Sequence, residues 1–368
     1  MTSHYIDSFA DELGPEKIIH IYDPASGLKA IVVLDNLSLG PAIGGCRMAA
    51  DVTTREVFRL ARAMTLKNAI NFLPYGGGKS AILCDPRSAD RDRLIQAFAQ
   101  AIQNLTEYIP GPDMGTDEQT MATIKEITGR AVGLPRHLGG LPLDELGTTG
   151  FGVAVAADVA SQKLGLPLKG ARVTIQGFGN VGKAAARFLA ERGAKIIAVS
   201  DSQGAVFNPE GLALEPLLAA VGRGKKVAES GAGQPLERDA LVGLETDIFI
   251  PAARPDVVTI RNQDQLKATL VMEGANIPIT HEAARLLHQR GVMVVPDVIA
   301  NGGGVTCAAS ELEGLSEEDT FHRIRTNITR NTEELFDRLR REQRPPHEIA
   351  QQMASERIED AMAARASG

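Results

Sequence analysis

A chain of 368 residues, 43% hydrophobic and 23% charged, has the make-up of a globular protein with length for two domains and a core in each. Its net charge of −7, with no stretch that interleaves aromatic and basic residues, argues against nucleic acid as the main partner. No apolar run reaches the ~18 residues that span a bilayer, so no membrane partner is expected.

The three cysteines, Cys46, Cys84 and Cys307, lie far apart and form no CxxC pair, which fits a reducing compartment and no metal site. The segment MTSHYIDSFADELG has neither the basic nor the apolar region of a signal peptide. A cytoplasmic location is expected.

In chain order, GLKAIVVLDNLSLGPAIGG predicts a hairpin or adjacent strands with a turn at Asp35-Asn36. TTREVFRLARAMTLKNAINF places apolar residues at 57, 60, 61 and 64, the spacing of a helix. KSAILCDP reads as a short buried strand following three glycines, and DRLIQAFAQAIQNL as a second amphipathic helix. YIPGPDMGTDEQTM is a loop stiffened by proline, with Thr116 and Gln119 as a capping box for a helix over 117–129. GLPRHLGGLPLDELGTTG marks a domain boundary, followed by a helix over 151–163. ARVTIQG, KIIAVSD, DIFIPAA, ATLVMEGAN and VMVVPDV then read as continuously apolar strands of a parallel sheet covered on both faces. The tail from 315 is helical, with a break at Arg344-Pro345-Pro346.

Gly177, Gly179 and Gly182 fill G-x-G-x-x-G between a strand and a helix, and a second strand ends at Asp201, 19 residues beyond Gly182. This is the full context of a dinucleotide site, with backbone amides and a helix N-terminus for the pyrophosphate. Asp201 is placed to accept hydrogen bonds from the adenine ribose hydroxyls, which favours NAD; NADP is the alternative.

Gly76, Gly77 and Gly78 directly precede Lys79. A P-loop would need glycine at 73, where the chain has Leu73, so the glycines are expected to let a substrate and a second backbone approach. Lys67 follows Leu60 by seven and Met64 by three, on the apolar face of its helix. Asp113 sits in GPDMG, free to face a cleft.

GLKAIVVLDNLSLGPAIGGCRM, AMTLKNAINFLPYGGGK, GPDMGT, GTTGFGV, QGFGNVG, EGAN and NGGGV occur in this order over nearly the whole chain. The sequence thereby resembles the glutamate/leucine/phenylalanine/valine dehydrogenases, and its length is similar to their short leucine/phenylalanine branch. The resemblance implies an α/β protein of two domains with a cleft between them. Residues 1–147 would form the substrate-binding and dimerisation domain, 148–329 a Rossmann domain, and 330–368 helices packing back on the first. It implies a homo-oligomer, an octamer first, with a hexamer or dimer as alternatives.

Carried onto this chain, the family chemistry is the reversible oxidative deamination of an L-amino acid to a 2-oxo acid and ammonium. Lys67 would bind the α-carboxylate, Lys79 polarise water at the α-carbon, and Asp113 exchange protons with the amine. A lysine base must lose its proton near neutral pH, which desolvation and a neighbouring cation can promote. The implied substrate contacts are Ile43, Gly44, Gly45, Met64, Asn276, Asn301, Val305 and Ala308. The implied cofactor contacts beyond the three glycines and Asp201 are Asn180, Val181, Ser202, Thr149, Ala252 and Asn276.

Glutamate enzymes of this family carry lysine where this chain has Ile43 and serine where it has Ala308. An apolar pocket follows, suited to Leu, Val, Ile, Met or Phe, since a buried carboxylate would have no partner there. LPYGGGK, GPDMGT and AVSDSQGAVFNPEGL look more like glutamate dehydrogenase, so glutamate or an unusual amino acid is the alternative. A silent NAD-binding regulator is the rival of another class.

Overall fold

The structure, a computed structural model, describes residues 8–367; the first seven residues of the N-terminal segment read above lie outside them. The chain divides into two units. One runs to Pro142 and also takes Val305–Thr320 and Gln352 onward; the other comprises Leu143–Gly304 and Phe321–Gln351. The division at 142/143 lies before the expected 147/148. The C-terminal part is apportioned between the units rather than returning as one block from 330.

The first unit holds a sheet in the order β1-β2-β4-β3-β5. Its strands are β1 (Lys17–Asp23), β2 (Leu28–Asn36), β3 (Ala42–Met48), β4 (Gly76–Ile82) and β5 (Tyr108–Pro112). The hairpin is β1–β2, not β2–β3. β4 inserts between β2 and β3, antiparallel to one and parallel to the other. The stretch from Asp35 to Pro41 therefore ends one strand and starts another a strand away, a crossover that local turn signals do not distinguish from a hairpin.

Helix α1 (Thr54–Ile70) is capped by the Thr53 side chain, which accepts from the Glu56 N–H. It buries Val57, Ala61, Thr65 and Asn68 along one stripe. Thr65 Oγ1 donates to Asp35 Oδ2 on β2 at 2.6 Å, and Arg62 Nε reaches the same oxygen at 2.7 Å. Burial raises the proton affinity of the Asp35 carboxyl, and Arg62 and Thr65 partly offset that. Helices α2 (Arg91–Ala101) and α3 (Glu118–Thr128) pack on one another. The capping box of α3 is Asp117 with Thr120, one residue beyond the expected Thr116–Gln119 pair. Thr116 instead binds the backbone around Asp113.

The second unit holds the order β12-β11-β10-β6-β7-β8-β9. The five expected strands are β6 (Arg172–Gln176), β7 (Lys195–Ser200), β10 (Ile248–Pro251), β11 (Leu270–Met272) and β12 (Met293–Val295), all parallel. Two antiparallel strands, β8 (Ala205–Phe207) and β9 (Gln234–Leu236), extend the edge. The unit's helices begin with α4 (Leu143–Leu146) and α5 (Thr148–Leu164), the latter starting before the expected residue 151. Then come α6 (Asn180–Glu191), α7 (Leu214–Gly222), α8 (His281–Gln289) and α9 (Asp297–Ala300). The unit divisions at 304/305, 320/321 and 351/352 fall within α10 (Gly303–Leu312), α11 (Glu317–Glu342) and α12 (Pro346–Ala366).

The second unit is an α/β doubly wound sheet, and the first is a smaller mixed sheet with helices; the chain is α/β in both. Among the described residues no helix is long and apolar enough to cross a membrane, and no group of three His, Cys, Asp or Glu side chains could hold a metal ion.

Candidate active site

In a strand, alternate residues share a face. On β3 the residues Ala42, Cys46 and Met48 enter the main core of the first unit. Ile43, Gly45 and Arg47 therefore face the other way. The neighbouring strands are in register with them: Ile43 lies beside Ile109 and Gly77, Gly45 beside Gly111, and Arg47 beside Ala81. This face carries a small set of polar side chains among residues chosen for absence of bulk.

Lys79 comes from β4, and Asp113 follows the last residue of β5. Lys79 Nζ and Asp113 Oδ2 are 2.8 Å apart, and Arg47 Nε lies 2.9 Å from the same oxygen. Burial disfavours the charge on Asp113, but the two cations win and hold its carboxyl below the ordinary carboxylate range. Gly45 faces the pair. A methyl group there would stand 2.8 Å from both Lys79 Nζ and the Asp113 β-carbon, so the missing side chain leaves room in front of both groups. Gly44, on the opposite face, packs against the Gly78 carbonyl. The Tyr108 hydroxyl lies 2.9 Å from the Gly44 carbonyl and the Ser80 hydroxyl, tying β3 and β4 together beneath the site.

The glycine run is part of β4, not a loop before it. Gly77 lies directly under the α1 backbone at Thr65, and Gly78 packs against Ala42 and the Tyr108 ring. The approach of a second backbone holds as expected, and that backbone is the helix carrying Lys67. Lys67 and Lys79 are both buried, at 8% and 7% exposure, which is exceptional for lysine. Met64, on α1, is half-buried.

Beside the polar groups, Ile43, Ile109 and Val132 form a buried apolar cluster with Tyr75, Ala308 and Leu312 packed on it. Ile43 and Ala308, far apart in sequence, thus meet in one cluster. Val305, a turn earlier on α10, is half-buried.

In the second unit the three fingerprint glycines have three different surroundings. Gly177 has φ +99° and lies against the Ala252–Ala253 backbone. Gly182 packs on the Gly177 carbonyl, bringing α6 close to the end of β6. Gly179 caps α6, and a methyl group there would meet nothing within 4 Å. The protein's own packing does not require glycine at 179, and the space before the helix N-terminus is open to a ligand. Asn180 beside it is exposed and Val181 half-buried. The loop lies where β6 neighbours β10, the point at which the strand order reverses and dinucleotides bind. The residues therefore fit a dinucleotide pyrophosphate.

Asp201 already has partners. Its Oδ1 accepts from the N–H groups of Gln203 and Gly204, and its Oδ2 from that of Val227 at 2.9 Å. A carboxylate offers about four acceptor positions, which leaves room for one ribose hydroxyl rather than two. Ser202 is exposed beside it. Thr149 lies in the first turn of α5, with its Oγ1 against Gly304. Asn301 Nδ2 donates to the Ala275 carbonyl at 3.1 Å and to Asn276 Oδ1 at 3.2 Å. Asn276 is exposed and Asn301 buried, so Asn301 positions the loop that presents Asn276.

The Glu/Leu/Phe/Val dehydrogenase dimerisation-domain signature matches residues 15–130, and that of the Glutamate/Leucine/Phenylalanine/Valine dehydrogenases matches residues 139–366. The chain belongs to this dehydrogenase family. Similar proteins include the glutamate dehydrogenase of Aeropyrum pernix, 36% identical over 355 residues, covering 90% of this chain and 85% of that one. The hetero-hexameric glutamate dehydrogenase of Thermus thermophilus, solved in a leucine-bound form, superimposes with a TM-score of 0.84 at 30% identity, over 95% of this chain and 90% of that one. The L-tryptophan dehydrogenase of Nostoc punctiforme gives 0.75 at 25% identity, over 95% and 98%. NAD-specific and NADP-specific glutamate dehydrogenases are both among the relatives.

This dehydrogenase is an NAD- or NADP-dependent oxidoreductase acting on the CH–NH2 group of amino acids. Two of its features escape a reading of the sequence. Arg47 is one; its signal is the two-residue spacing from Gly45, legible only once β3 is known to be a strand with one face in the core. The other is the Glu273–His347 pair at 3.0 Å, whose partners are separated by 74 positions and carry no local signal.

Proposed function

We propose that this dehydrogenase catalyses the reversible oxidative deamination of an L-amino acid with an apolar side chain to the 2-oxo acid and ammonium. The observation that carries the reaction is the pair of buried Lys79 and half-buried Asp113 over side-chain-free Gly45. In this reading Lys67 binds the α-carboxylate and Lys79 Nζ polarises the attacking water. Asp113 takes a proton from the substrate amine and returns it. The nicotinamide cofactor, when bound, supplies the two-electron acceptor for the α-carbon. Gly177, Gly179, Asn180, Val181, Gly182 and Ala252 cradle its phosphates, Asp201 and Ser202 face its ribose, and Thr149 and Asn276 orient its ring.

Two readings of the side-chain pocket follow from different observations. The names of the curated relatives favour glutamate. The chain's own residues favour an apolar substrate, because Ile43 and Ala308 lie in an apolar cluster. Burying a γ-carboxylate there without a partner costs roughly 3–5 kcal/mol, about a hundredfold or more in kcat/KM at 1.4 kcal/mol per tenfold. The relative that acts on tryptophan supports an apolar side chain within this fold. The hexamer named for the Thermus protein supports a hexamer over the octamer among the expected assemblies.

Following reduction of NAD and NADP with a panel of L-amino acids separates the readings. The expected result is turnover with Leu, Val, Ile, Met or Phe at least about a hundredfold above glutamate, and a gain of tenfold or more on glutamate in I43K. Turnover with glutamate alone in the wild type discards the apolar pocket and leaves the reaction intact.

A further inference from the structure

We propose that Arg47, held by Glu56, is a positioning residue for the reaction: it fixes which oxygen of Asp113 meets the substrate amine. The proposal rests on the assignment of Lys79 and Asp113 above. Lys79 Nζ and Arg47 Nε converge on Oδ2, at 2.8 and 2.9 Å. A carboxyl group gripped by one oxygen presents the other, so Oδ1 is the atom left to receive the amine proton. Without Arg47 the carboxyl can rotate about its single bond and pair with Lys79 through either oxygen.

The guanidinium does what an ammonium cannot. Its Nε meets Asp113 on one side while its NH1 meets Glu56 on the other, and a planar fork keeps the two contacts in fixed relation. Glu56 sits in the first turn of α1, a helix anchored by its Thr53 cap and by the Asp35 contacts of Arg62 and Thr65. The backbone is fixed from the same strand: the Asp113 N–H donates to Thr116 Oγ1 at 2.9 Å, and that hydroxyl reaches the Cys46 carbonyl at 2.8 Å. Both the loop and the carboxyl of Asp113 are thus referred to β3.

Stability alone does not account for the arrangement. Arg47 and Asp113 have side chains only 16% and 21% exposed, and apolar replacements of a buried ionic group fold as well or better in many proteins. The other titratable neighbours of Asp113 are Cys46 on β3 and Tyr108 on β5. Burial pushes the Cys46 thiol up to about 12 and the Tyr108 phenol above its ordinary value, so both are neutral across the working range. Lys79 and Arg47 are therefore the groups that set the charge of this carboxyl.

The test compares R47Q, R47K, E56Q and D113N by the pH profile of kcat/KM, with melting temperature and NADH affinity measured alongside. In R47Q the acid limb moves to higher pH, because a cation favouring the ionised carboxyl is gone, and kcat at neutral pH falls roughly tenfold or more. NADH affinity and melting stay near wild type. R47K keeps the charge and loses the fork, so it restores the limb but not kcat. E56Q moves kcat in the same direction as R47Q but less.

If R47Q folds and keeps the wild-type limb and kcat, the proposal is wrong. If R47Q does not fold, E56Q decides, since Glu56 is 41% exposed and its loss is tolerable; an unchanged kcat in E56Q then overturns the proposal. D113N separates this from the underlying reading. Full activity in D113N removes the role of Asp113 and the proposal with it, whereas a dead D113N beside an unaltered R47Q removes only the proposal.

Discussion

Individual charged side chains in this dehydrogenase stand in pairs away from bulk water. Lys79 and Asp113 are one pair; Glu273 and His347 are another. Glu273 is 1% exposed, its Oε1 is 3.0 Å from His347 Nε2, and its Oε2 accepts from the Asp297 N–H at 2.8 Å. Burial raises the Glu273 carboxyl above its ordinary value; burial alone would lower His347, but the Glu273 carboxylate raises it overall. Both shifts have the same sign. Each group favours its protonated form in the folded state, so each contributes stability that is full below its ordinary pKa and lost as pH rises through the raised one. The melting temperature of the wild type is expected to fall as pH rises from about 6.5, the ordinary histidine value, and the fall should be shallower in H347Q. Equal slopes for the two proteins, read by calorimetry across that range, would remove the pair from the pH response. Lys79 and Asp113 were legible in the sequence because a glycine run and a proline-stiffened loop draw attention to them. The Glu273–His347 pair was not, because only the fold brings those residues together.

At the scale of elements, the packing of α1 on β4 decides where Lys67 and Lys79 lie. Gly77 meets the α1 backbone at Thr65 directly, and backbone cannot swing aside as a flexible side chain can. A methyl group at 77 must push the helix outward. G77A is expected to cost about 1–3 kcal/mol, or roughly 2–12 °C in melting temperature at this domain size, and to raise KM for the amino acid while leaving NADH affinity unchanged. Wild-type melting and KM in G77A would show that the contact does not set the position of α1. Helices were legible from their apolar spacing and caps, and the five parallel strands from their uninterrupted apolar runs. Strand neighbours were not. The insertion of β4 between β2 and β3, and the short β8 and β9, depend on long-range pairing that no local pattern encodes. For Asp201, the N–H groups of Gln203 and Gly204 lie in its own turn, but the Val227 N–H that also binds its carboxylate is 26 residues away and carries no local signal.

At the scale of the molecule, the first unit carries the Lys79–Asp113 pair and the apolar cluster, and the second carries the glycine cradle. The sequence announced both, since the order of short motifs along the chain is enough to place it in its family. The course of the C-terminal helices was not announced, because amphipathic spacing identifies a helix without identifying what covers it. In the proposed reaction each of these two sets of residues binds one of the two reactants. The direct measurement is turnover with the best amino-acid substrate set beside NADH affinity, in wild type and K79A. The account predicts that K79A loses at least about a hundredfold in kcat while binding NADH and melting as the wild type does. A K79A protein that turns over at the wild-type rate would contradict it.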